Sequence, residues 1–232
     1  MAVTEEAIIR IKEMIVHGQL SAGDRLPPEK ELSDMLGLSR NSLREAVKAL
    51  EFINVLDVRR GDGTYVTSLE PHLLLAAMGF VVDLYSDQSL LEIFEVRGVL
   101  EPYVTGRAVE QATDEQVGEL RRIMNATHQS NDVEQLVAQN IQFHRKIAQI
   151  AGNAYLTSLL DGLSSATARA RVWRGLTQEQ SISRTLDEHR SIVEAFEAKD
   201  VEMARSWSKV HIGGVEAWLR TTLSGAQGEP KS

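Results

Sequence analysis

The chain has 232 residues, of which 43% are hydrophobic and 25% are charged, a composition typical of a folded globular protein with one large domain or two unequal ones. It contains no cysteine, which excludes disulfides and thiolate metal sites and favours the cytoplasm. A formal net charge of −8 disfavours general nucleic-acid binding but permits a local basic face.

Neither the N-terminus nor the longest apolar run predicts secretion or membrane insertion. The first residues, MAVTEEAIIRIKEM, carry acids where a signal peptide has a basic start and an apolar core. The run LLLAAMGFVV is about half as long as a segment that spans a bilayer. We therefore expect a soluble protein.

The sequence pattern changes near residue 68. Up to that point the chain reads as three short helices followed by two short strands, and beyond it helical periodicity continues to about residue 223. Polar residues and a proline mark the junction. The predicted organisation is therefore a first domain over 1–68, a linker over 69–75, an all-α domain over 76–223 and a flexible tail over 224–232.

The stretch PEKELSDMLGLSRNSLREAVKALEFI predicts two helices joined by a tight turn. Gly37 suits the left-handed end of the first helix, and Ser39 suits the N-cap of the second. The spacing of apolar residues predicts that the second helix has a buried stripe. That stripe comprises Leu43, Ala46, Val47, Leu50 and Ile53.

The opposite face of the second helix is predicted to meet an anionic partner. Arg40, Arg44 and Lys48 repeat at four-residue spacing, an arrangement that weakens an isolated helix through like-charge repulsion. At the start of the helix, Ser39, Arg40, Asn41 and Ser42 offer hydroxyls, an amide and a guanidinium. These groups suit DNA phosphates and the acceptors of guanine in a major groove.

The next stretch, VLDVRRGDGTYVTS, predicts a β-hairpin that turns at Gly61–Gly63. A helix-turn-helix followed by a hairpin is a winged helix. Taken singly, the two pieces are also consistent with a solvated charged face and a plain surface hairpin. Their order and spacing favour the DNA-binding interpretation.

These residues are similar to a known family. AGDRLPPEKELSDMLGLSRNSLREAVKALE followed by RRGDGTYV resembles the winged helix of the GntR superfamily of bacterial transcription regulators. The resemblance implies that Gly63 lies at a wing tip that enters the minor groove. It also implies that five positions contact DNA, namely Lys30, Ser39, Arg40, Ser42 and Arg44. The chain departs from the family's usual pattern at Lys30, Asn41 and Asn54, where many relatives carry Arg, Thr and Gly.

The second domain is predicted to be a helical bundle with polar residues on its buried faces. The predicted helices are 73–85, 88–111, 113–128, 132–151, 154–175, 179–198 and 200–222. In QNIQFHRKIAQIAG, Asn140 and His144 lie within roughly 40° of the apolar stripe at 100° per residue. His189 and His211 fall on the apolar stripes of two further helices. Three histidines and one amide are therefore expected inside the bundle.

Such a cluster favours a divalent metal, with Asn140, His144, His189 and His211 as candidate ligands. A single buried histidine is more often an ordinary core residue, but several unpaired imidazoles are costly to bury and one cation satisfies all of them. Arg97 also lies on an apolar stripe and needs a buried partner. That partner is either Glu101, one turn later, or the carboxylate of a bound effector.

The second domain also shows a resemblance. SLLEIFEVRGVLEP, NIQFHRKIAQIAGN and DEHRSIVEAFEAKD look like the FCD effector domain of FadR-type GntR regulators. The resemblance implies that His144, His189 and His211 hold an ion such as zinc or nickel and that Arg97 binds an organic acid. Asn140 stands where the family usually has Asp, which weakens the metal or leaves more positive charge for an anionic effector.

The resulting functional prediction is a cytoplasmic homodimer that binds a palindromic operator in double-stranded DNA and is released by a small carboxylate, as a repressor is. An alternative is a metal-dependent enzyme, although no HExxH motif is present. A third interpretation is a DNA-binding protein whose bundle is a purely structural dimerisation module. The identity of the effector and the operator sequence stay open.

Overall fold

Three helices and a two-stranded hairpin form the N-terminal part of the chain, in the predicted order. The computed structural model describes residues 3–71, 73, 87–127, 132–178 and 180–226. It divides the chain into two units, Met1–Ala77 and Met78–Ser232. The elements of the first unit are α1 (Val3–Val16), α2 (Glu29–Leu36), α3 (Arg40–Phe52), β1 (Leu56–Arg59) and β2 (Gly63–Val66).

The turn between α2 and α3 has the predicted chemistry. Gly37 adopts φ 66° at the end of α2, in the left-handed region that glycine enters without a steric penalty. Ser39 caps α3, and its hydroxyl accepts a hydrogen bond from the Ser42 backbone N–H at 3.2 Å. The helix-turn-helix is therefore held by local interactions that the sequence specifies.

The core of the first unit lies beneath α3. Leu43, Ala46 and Leu50 are buried, as predicted, and Val47 is half-buried. The prediction was wrong for Ile53, which is 42% exposed because α3 ends at Phe52 and the chain turns away there. The remaining buried apolar residues of this core are Ile11, Met14, Leu20, Leu26, Leu32, Leu56 and Val66.

The hairpin is short and regular. β1 and β2 pair antiparallel, with Leu56 opposite Val66 and Arg59 opposite Gly63. Residues 23–26 extend the sheet along the other edge of β2, since the Leu26 N–H donates to the Thr64 carbonyl at 2.8 Å. The hairpin is thereby attached to the segment that leads into α2.

The described part of the second unit is entirely helical, which confirms the predicted fold class of a winged helix-turn-helix followed by an all-α bundle. Its helices are α4 (Asp87–Gln111), α5 (Asp114–Thr127), α6 (Val133–Ile150), α7 (Ala154–Ala166), α8 (Ala168–Thr177), α9 (Ser181–Glu197) and α10 (Val201–Ala226). α10 packs along α4, and α6 packs against α4, α5, α7 and α8. The predicted helix at 73–85 lies outside the described residues.

One predicted helix, 154–175, is two helices. α7 and α8 are separated at Thr167, whose backbone has φ −92° and ψ 2°. The Thr167 hydroxyl donates back to the Leu163 carbonyl and accepts a hydrogen bond from Arg97 of α4. Because a side chain that bonds its own helix competes with the regular backbone pattern, this buried threonine marks the break.

Within the described residues, no helix is both long and apolar enough to cross a membrane. The last helix continues to Ala226, beyond its predicted end at residue 222.

We predict opposite effects on stability for alanine at two glycines whose surroundings are equally open. A methyl group added at Gly37 or at Gly118 would meet no neighbouring group within 4 Å. Gly37 has positive φ, so Gly37→Ala should destabilise the protein by about 1 kcal/mol. Gly118 lies inside α5, so Gly118→Ala should stabilise it by roughly 0.5–1 kcal/mol. Thermal unfolding followed by circular dichroism measures both changes, and a lower midpoint for Gly118→Ala would contradict the second.

Candidate metal and effector site and DNA-binding surface

Three helices bring three imidazoles together in the interior of the bundle. His144 lies on α6, His189 on α9 and His211 on α10, and all three are buried, as the helical periodicity predicts. Their ligand nitrogens lie within 4.8 Å of one another. The residues that the sequence places on separate helices therefore converge on one point.

Two carboxylates orient two of these imidazoles. Glu101 Oε2 lies 3.0 Å from His144 Nδ1, and Glu188 Oε2 lies 2.8 Å from His211 Nδ1. A neutral imidazole beside a carboxylate carries its proton on the nitrogen that faces it, which leaves Nε2 as an acceptor. The two Nε2 atoms are 3.0 Å apart. Two lone pairs that face each other at this distance need a proton or a metal ion between them.

His189 contributes the third imidazole of the cluster. Its Nε2 atom lies 3.2 Å from Asn140 Nδ2, which donates to it, and its ring stacks on Phe143 at 4.3 Å. Its Nδ1 atom has no hydrogen-bond partner among the described residues. The ring is therefore held by stacking and by one amide, without the carboxylate that the other two histidines have.

Asn140 is buried beside the histidines, but its oxygen is directed elsewhere. Arg171 donates to Asn140 Oδ1 at 2.7 Å, which turns the amide nitrogen toward His189. Coordination by this oxygen remains a prediction, and it requires the amide to rotate or the Arg171 guanidinium to move.

Arg97 contacts Glu101, one of the two partners that the sequence suggested for it. Its Nε donates to Glu101 Oε1 at 2.7 Å, and its Nη1 donates to Thr167 Oγ1 at 2.9 Å. Because Glu101 also reaches His144, Arg97 is connected to the histidine cluster through one carboxylate. A direct contact between Arg97 and an effector stays a prediction.

A pocket of about 60 Å³ lies beside the cluster. Its polar lining includes Asn140, Arg171, Arg174 and His211, with apolar walls from α6, α9 and α10. Helical periodicity alone does not decide which of the arginines of 169–174 face a ligand. The structure places Arg171 and Arg174 in the pocket lining, whereas Arg97 is not part of it.

Burial and neighbouring charges shift the pKa values of several groups in and around the cluster. Burial opposes ionisation of Glu101, but the charges of Arg97 and His144 outweigh it and hold the pKa of this carboxyl far below its usual value. Burial, reinforced by the charge of Arg97, lowers the pKa of Arg171 to about 9. Burial also lowers the pKa of Arg174. These two arginines therefore carry poorly compensated positive charge.

His189 and His211 favour their neutral form. Burial, followed by the charges of other histidines in the cluster, lowers the pKa of His189 and of His211 well below the usual value. Burial raises the pKa of Glu188, although Arg174 opposes this shift. Neutral imidazoles with carboxylates behind them are the donor set that a divalent zinc-like ion prefers, so the residues present fit such an ion.

Sequence reasoning missed Glu188 and the roles of Arg171 and Arg174. Glu101 was visible because it lies four residues after Arg97 on one helix face. Glu188 contacts His211 on another helix, and no local spacing signals such a contact. Arg171 binds Asn140 across 31 positions of sequence, so periodicity alone could not identify it.

The start of α3 forms the candidate DNA-binding surface. Lys30, Arg40 and Asn41 are exposed, and the hydroxyls of Ser39 and Ser42 lie 2.9 Å apart. This arrangement presents a helix N-terminus, a guanidinium and an amide to solvent on one face.

Carboxylates of the same unit bind two of the recognition-helix cations, which the sequence did not predict. Arg44 Nε donates to Glu29 Oε2 of α2 at 3.0 Å, and Lys48 Nζ donates to Glu45 Oε1 at 2.9 Å. These exposed pairs relieve the repulsion between the cations, although each contributes less than about 1 kcal/mol. DNA phosphates would have to compete with them.

The wing carries its own basic residues. The Arg59 guanidinium lies 4.2 Å from the centre of the Tyr65 ring, and Arg59 also pairs with Asp57 at 2.8 Å. Arg25 donates to the carbonyl of Asp62 at the hairpin turn and lies against Gly63. Gly63 is half-buried, and the guanidinium that lies against it is that of Arg25.

Comparison with known families agrees with both units. The pattern of the bacterial regulatory proteins of the gntR family matches residues 3–66, and the pattern of the FCD domain matches residues 92–214. The chain belongs to the GntR family of bacterial regulators. Its second unit is an FCD domain, as the sequence resemblance predicted.

Relatives of this regulator are named as transcription factors. It is 28% identical to the galactonate operon transcriptional repressor of Escherichia coli over 207 residues, which cover 87% of this chain and 90% of the relative. It is 26% identical to the transcriptional regulator LutR of Bacillus subtilis, covering 88% and 94%. It is 29% identical to the transcriptional repressor NanR of Klebsiella aerogenes, covering 90% and 82%. The regulator is therefore not an enzyme, and the enzymatic alternative is rejected.

A solved structure shares the whole architecture. A GntR protein of Streptococcus agalactiae superposes with a TM-score of 0.70 at 26% identity, over 93% of this chain and 99% of that one. Escherichia coli McbR/YncC superposes with a TM-score of 0.55 at 22% identity, which shows a common fold.

Acid should destabilise the FCD domain when metal has been removed. His189 and His211 have lower pKa values in the folded protein than in the unfolded chain, so the unfolded chain binds more protons below about pH 6.5. Their contribution to stability is complete above that pH and falls as the pH drops, by up to about 1.4 kcal/mol per unit for each group. We expect the thermal midpoint of chelator-treated protein to be several degrees lower at pH 5.5 than at pH 7.5.

The variant His189→Leu should reduce this pH dependence, because one of the two titrating groups is gone. His17 is exposed and outside the cluster, so His17→Asn should leave the dependence unchanged. The interpretation fails if His189→Leu shows the full acid effect of the parent protein.

Proposed function

We propose that this regulator is a metabolite-responsive repressor of the FadR type, which binds a palindromic operator as a homodimer and is released by a small organic acid. The observation that carries the proposal is the convergence of three buried imidazole acceptors beside a pocket lined by two arginines. The names of the galactonate and NanR repressors support the direction of the response. Binding to chromosomal DNA would place the protein in the cytoplasm.

We propose that His144, His189 and His211 hold a divalent ion, zinc or nickel, with Asn140 as a fourth ligand. Glu101 and Glu188 support the proposal because they keep two of the imidazoles oriented with Nε2 toward the common point. When bound, the ion supplies a Lewis-acidic attachment point for a carboxylate oxygen. Arg97 positions Glu101 and stays in the proposal as a contact of the organic acid.

The acid would act through the packing of the helices around it. The pocket residues belong to α6, α8, α9 and α10, so a ligand that fits between them favours one arrangement of these helices. In a dimer, such a change alters the spacing of two winged helices and therefore their fit to two operator half-sites. The factor by which the ligand lowers the affinity for DNA cannot exceed the ratio of the ligand's own affinities for the free and the DNA-bound protein.

We propose that α3 enters the major groove. Lys30, Arg40 and Arg44, together with the hydroxyls of Ser39 and Ser42 and the amide of Asn41, supply contacts to phosphates and base edges. Gly63 at the wing, with Arg25 beside it, supplies the minor-groove contact.

A second candidate is a repressor whose bundle only dimerises. The observation in its favour is that Asn140 and His189, and likewise His144 and His211, lie within hydrogen-bonding distance of each other, so the buried polar groups can satisfy one another. The two candidates differ in one measurable property, which is metal content.

The variant Arg44→Ala should lose specific DNA binding. A guanidinium that reads a base contributes about 1–3 kcal/mol, so affinity should fall roughly 10-fold to 100-fold. The measurement is a titration of a DNA site that the parent protein selects from a random library, with circular dichroism to confirm the helical content. Arg190→Ala removes another exposed arginine, on α9, and should bind as the parent does. Unchanged affinity in Arg44→Ala would remove the recognition-helix assignment.

Elemental analysis should find about one divalent ion per chain in protein purified without chelators or a histidine tag. The double variant His144→Ala, His189→Ala should lose the ion because it removes two of the three imidazole ligands. His17→Ala is the matched control and should retain it. A parent protein that contains no ion would reject the metal site and favour the purely structural bundle.

A further inference from the structure

The buried polar cluster of the FCD domain contains more cations than anions. Among the described residues of this domain, three guanidiniums are buried, and two carboxylates accompany them. Each carboxylate is already engaged: Glu101 binds Arg97 and His144, and Glu188 binds His211. Burying a charge is costly unless a partner compensates it, so the remaining guanidiniums are the feature that needs an explanation.

Arg171 binds only neutral oxygens in the part of the chain that the structure describes. Its Nη1 donates to Asn140 Oδ1 at 2.7 Å, and its Nη2 donates to the Ser164 carbonyl. Its Nε has no hydrogen-bond partner there. An aspartate at position 140 would have neutralised this guanidinium, whereas the amide of Asn140 leaves its charge available to a ligand.

Arg174 is in a similar position one turn further along α8. Its Nε donates to Gln178 Oε1 at 2.6 Å, and its Nη2 has no partner among the described residues. Glu188 is the carboxylate whose charge acts on it, but the two do not form an ion pair. Both arginines are more than nine-tenths buried, with 7% and 3% of their surface exposed.

Both guanidiniums belong to one site. Arg171 and Arg174 are three residues apart on one helix, so their side chains leave the same face with Cβ atoms roughly 5–6 Å apart. Both line the same pocket, whose other walls include Leu136, Ile182 and Val215. The pocket therefore offers two cationic donors and an apolar wall to one small molecule.

We propose that the effector carries two anionic groups separated by a short hydrocarbon segment, and that Arg174 binds the second of these groups. The inference rests on the proposed function and narrows its ligand class from organic acids to dianions. The first group lies between Arg171 and the histidines, and the second meets the unpartnered Nη2 of Arg174. A monocarboxylate leaves one buried guanidinium without an anion, so it binds more weakly.

The test compares each linear dicarboxylate from malonate to adipate with its own monomethyl ester, which has the same chain but one negative charge. Isothermal titration calorimetry of the protein as purified measures both affinities. We expect the best dicarboxylate to bind at least tenfold more tightly than its ester. In Arg174→Gln this preference should fall below threefold, while the affinity for the ester changes little.

Two further variants keep the result interpretable. Arg174→Lys retains a cation and should keep part of the preference, which a merely structural role would not explain. Arg190→Gln removes an exposed arginine and should keep all of it. Thermal melting of each variant shows whether the domain is folded.

The proposal is overturned if no dicarboxylate binds, if the esters bind as tightly as the diacids, or if Arg174→Gln keeps the full preference. It fails separately from the proposed function if a monocarboxylate releases the selected DNA from metal-containing protein while dicarboxylates do no better. If no organic acid releases the selected DNA and the parent protein contains no metal, the proposed function itself is rejected.

Discussion

The FCD domain depends on one buried carboxylate. Glu101 of α4 compensates the charge of Arg97, which is only 1% exposed, and it also contacts His144 of α6. A buried guanidinium without this partner would be strongly destabilising. Arg97 in turn binds Thr167 at the junction of α7 and α8. A single acidic group therefore connects the α4 helix of the bundle to the histidine cluster and to the break that sets the direction of α8.

The helix that follows the break at Thr167 carries the charges that line the pocket. Arg171 and Arg174 lie on α8, which begins after this residue, and both are buried. The cluster consequently has two regions with different chemistry. Around Glu101 and Glu188, cations, carboxylates and neutral imidazoles are matched, whereas around Asn140 positive charge exceeds negative charge. A site built in this way is electrostatically balanced on one side and receptive to an anion on the other.

Local and periodic features were predictable from sequence, and contacts between distant elements were not. The cap at Ser39, the turn at Gly37 and the inward faces of the histidine helices follow from short-range spacing, and the structure has them. At the helix break, Thr167 accepts a hydrogen bond from Arg97, seventy positions earlier, and sequence spacing does not reveal this contact. The charge balance around Arg171 likewise arises from tertiary packing. For the same reason, sequence spacing identified the imidazoles but not the carboxylate of Glu188 that orients one of them.

The ion pair between Arg44 and Glu29 bears on how the regulator searches a chromosome. Because Glu29 of α2 already binds this arginine, a DNA phosphate would have to displace the Glu29 carboxylate before it could contact Arg44. If Arg44 contacts DNA as proposed, fewer counterions would be released on non-specific DNA. A matching site, which offers directed base acceptors as well as charge, would compete better with Glu29. The acidic residue would thereby raise the contrast between specific and non-specific sites at the expense of total affinity.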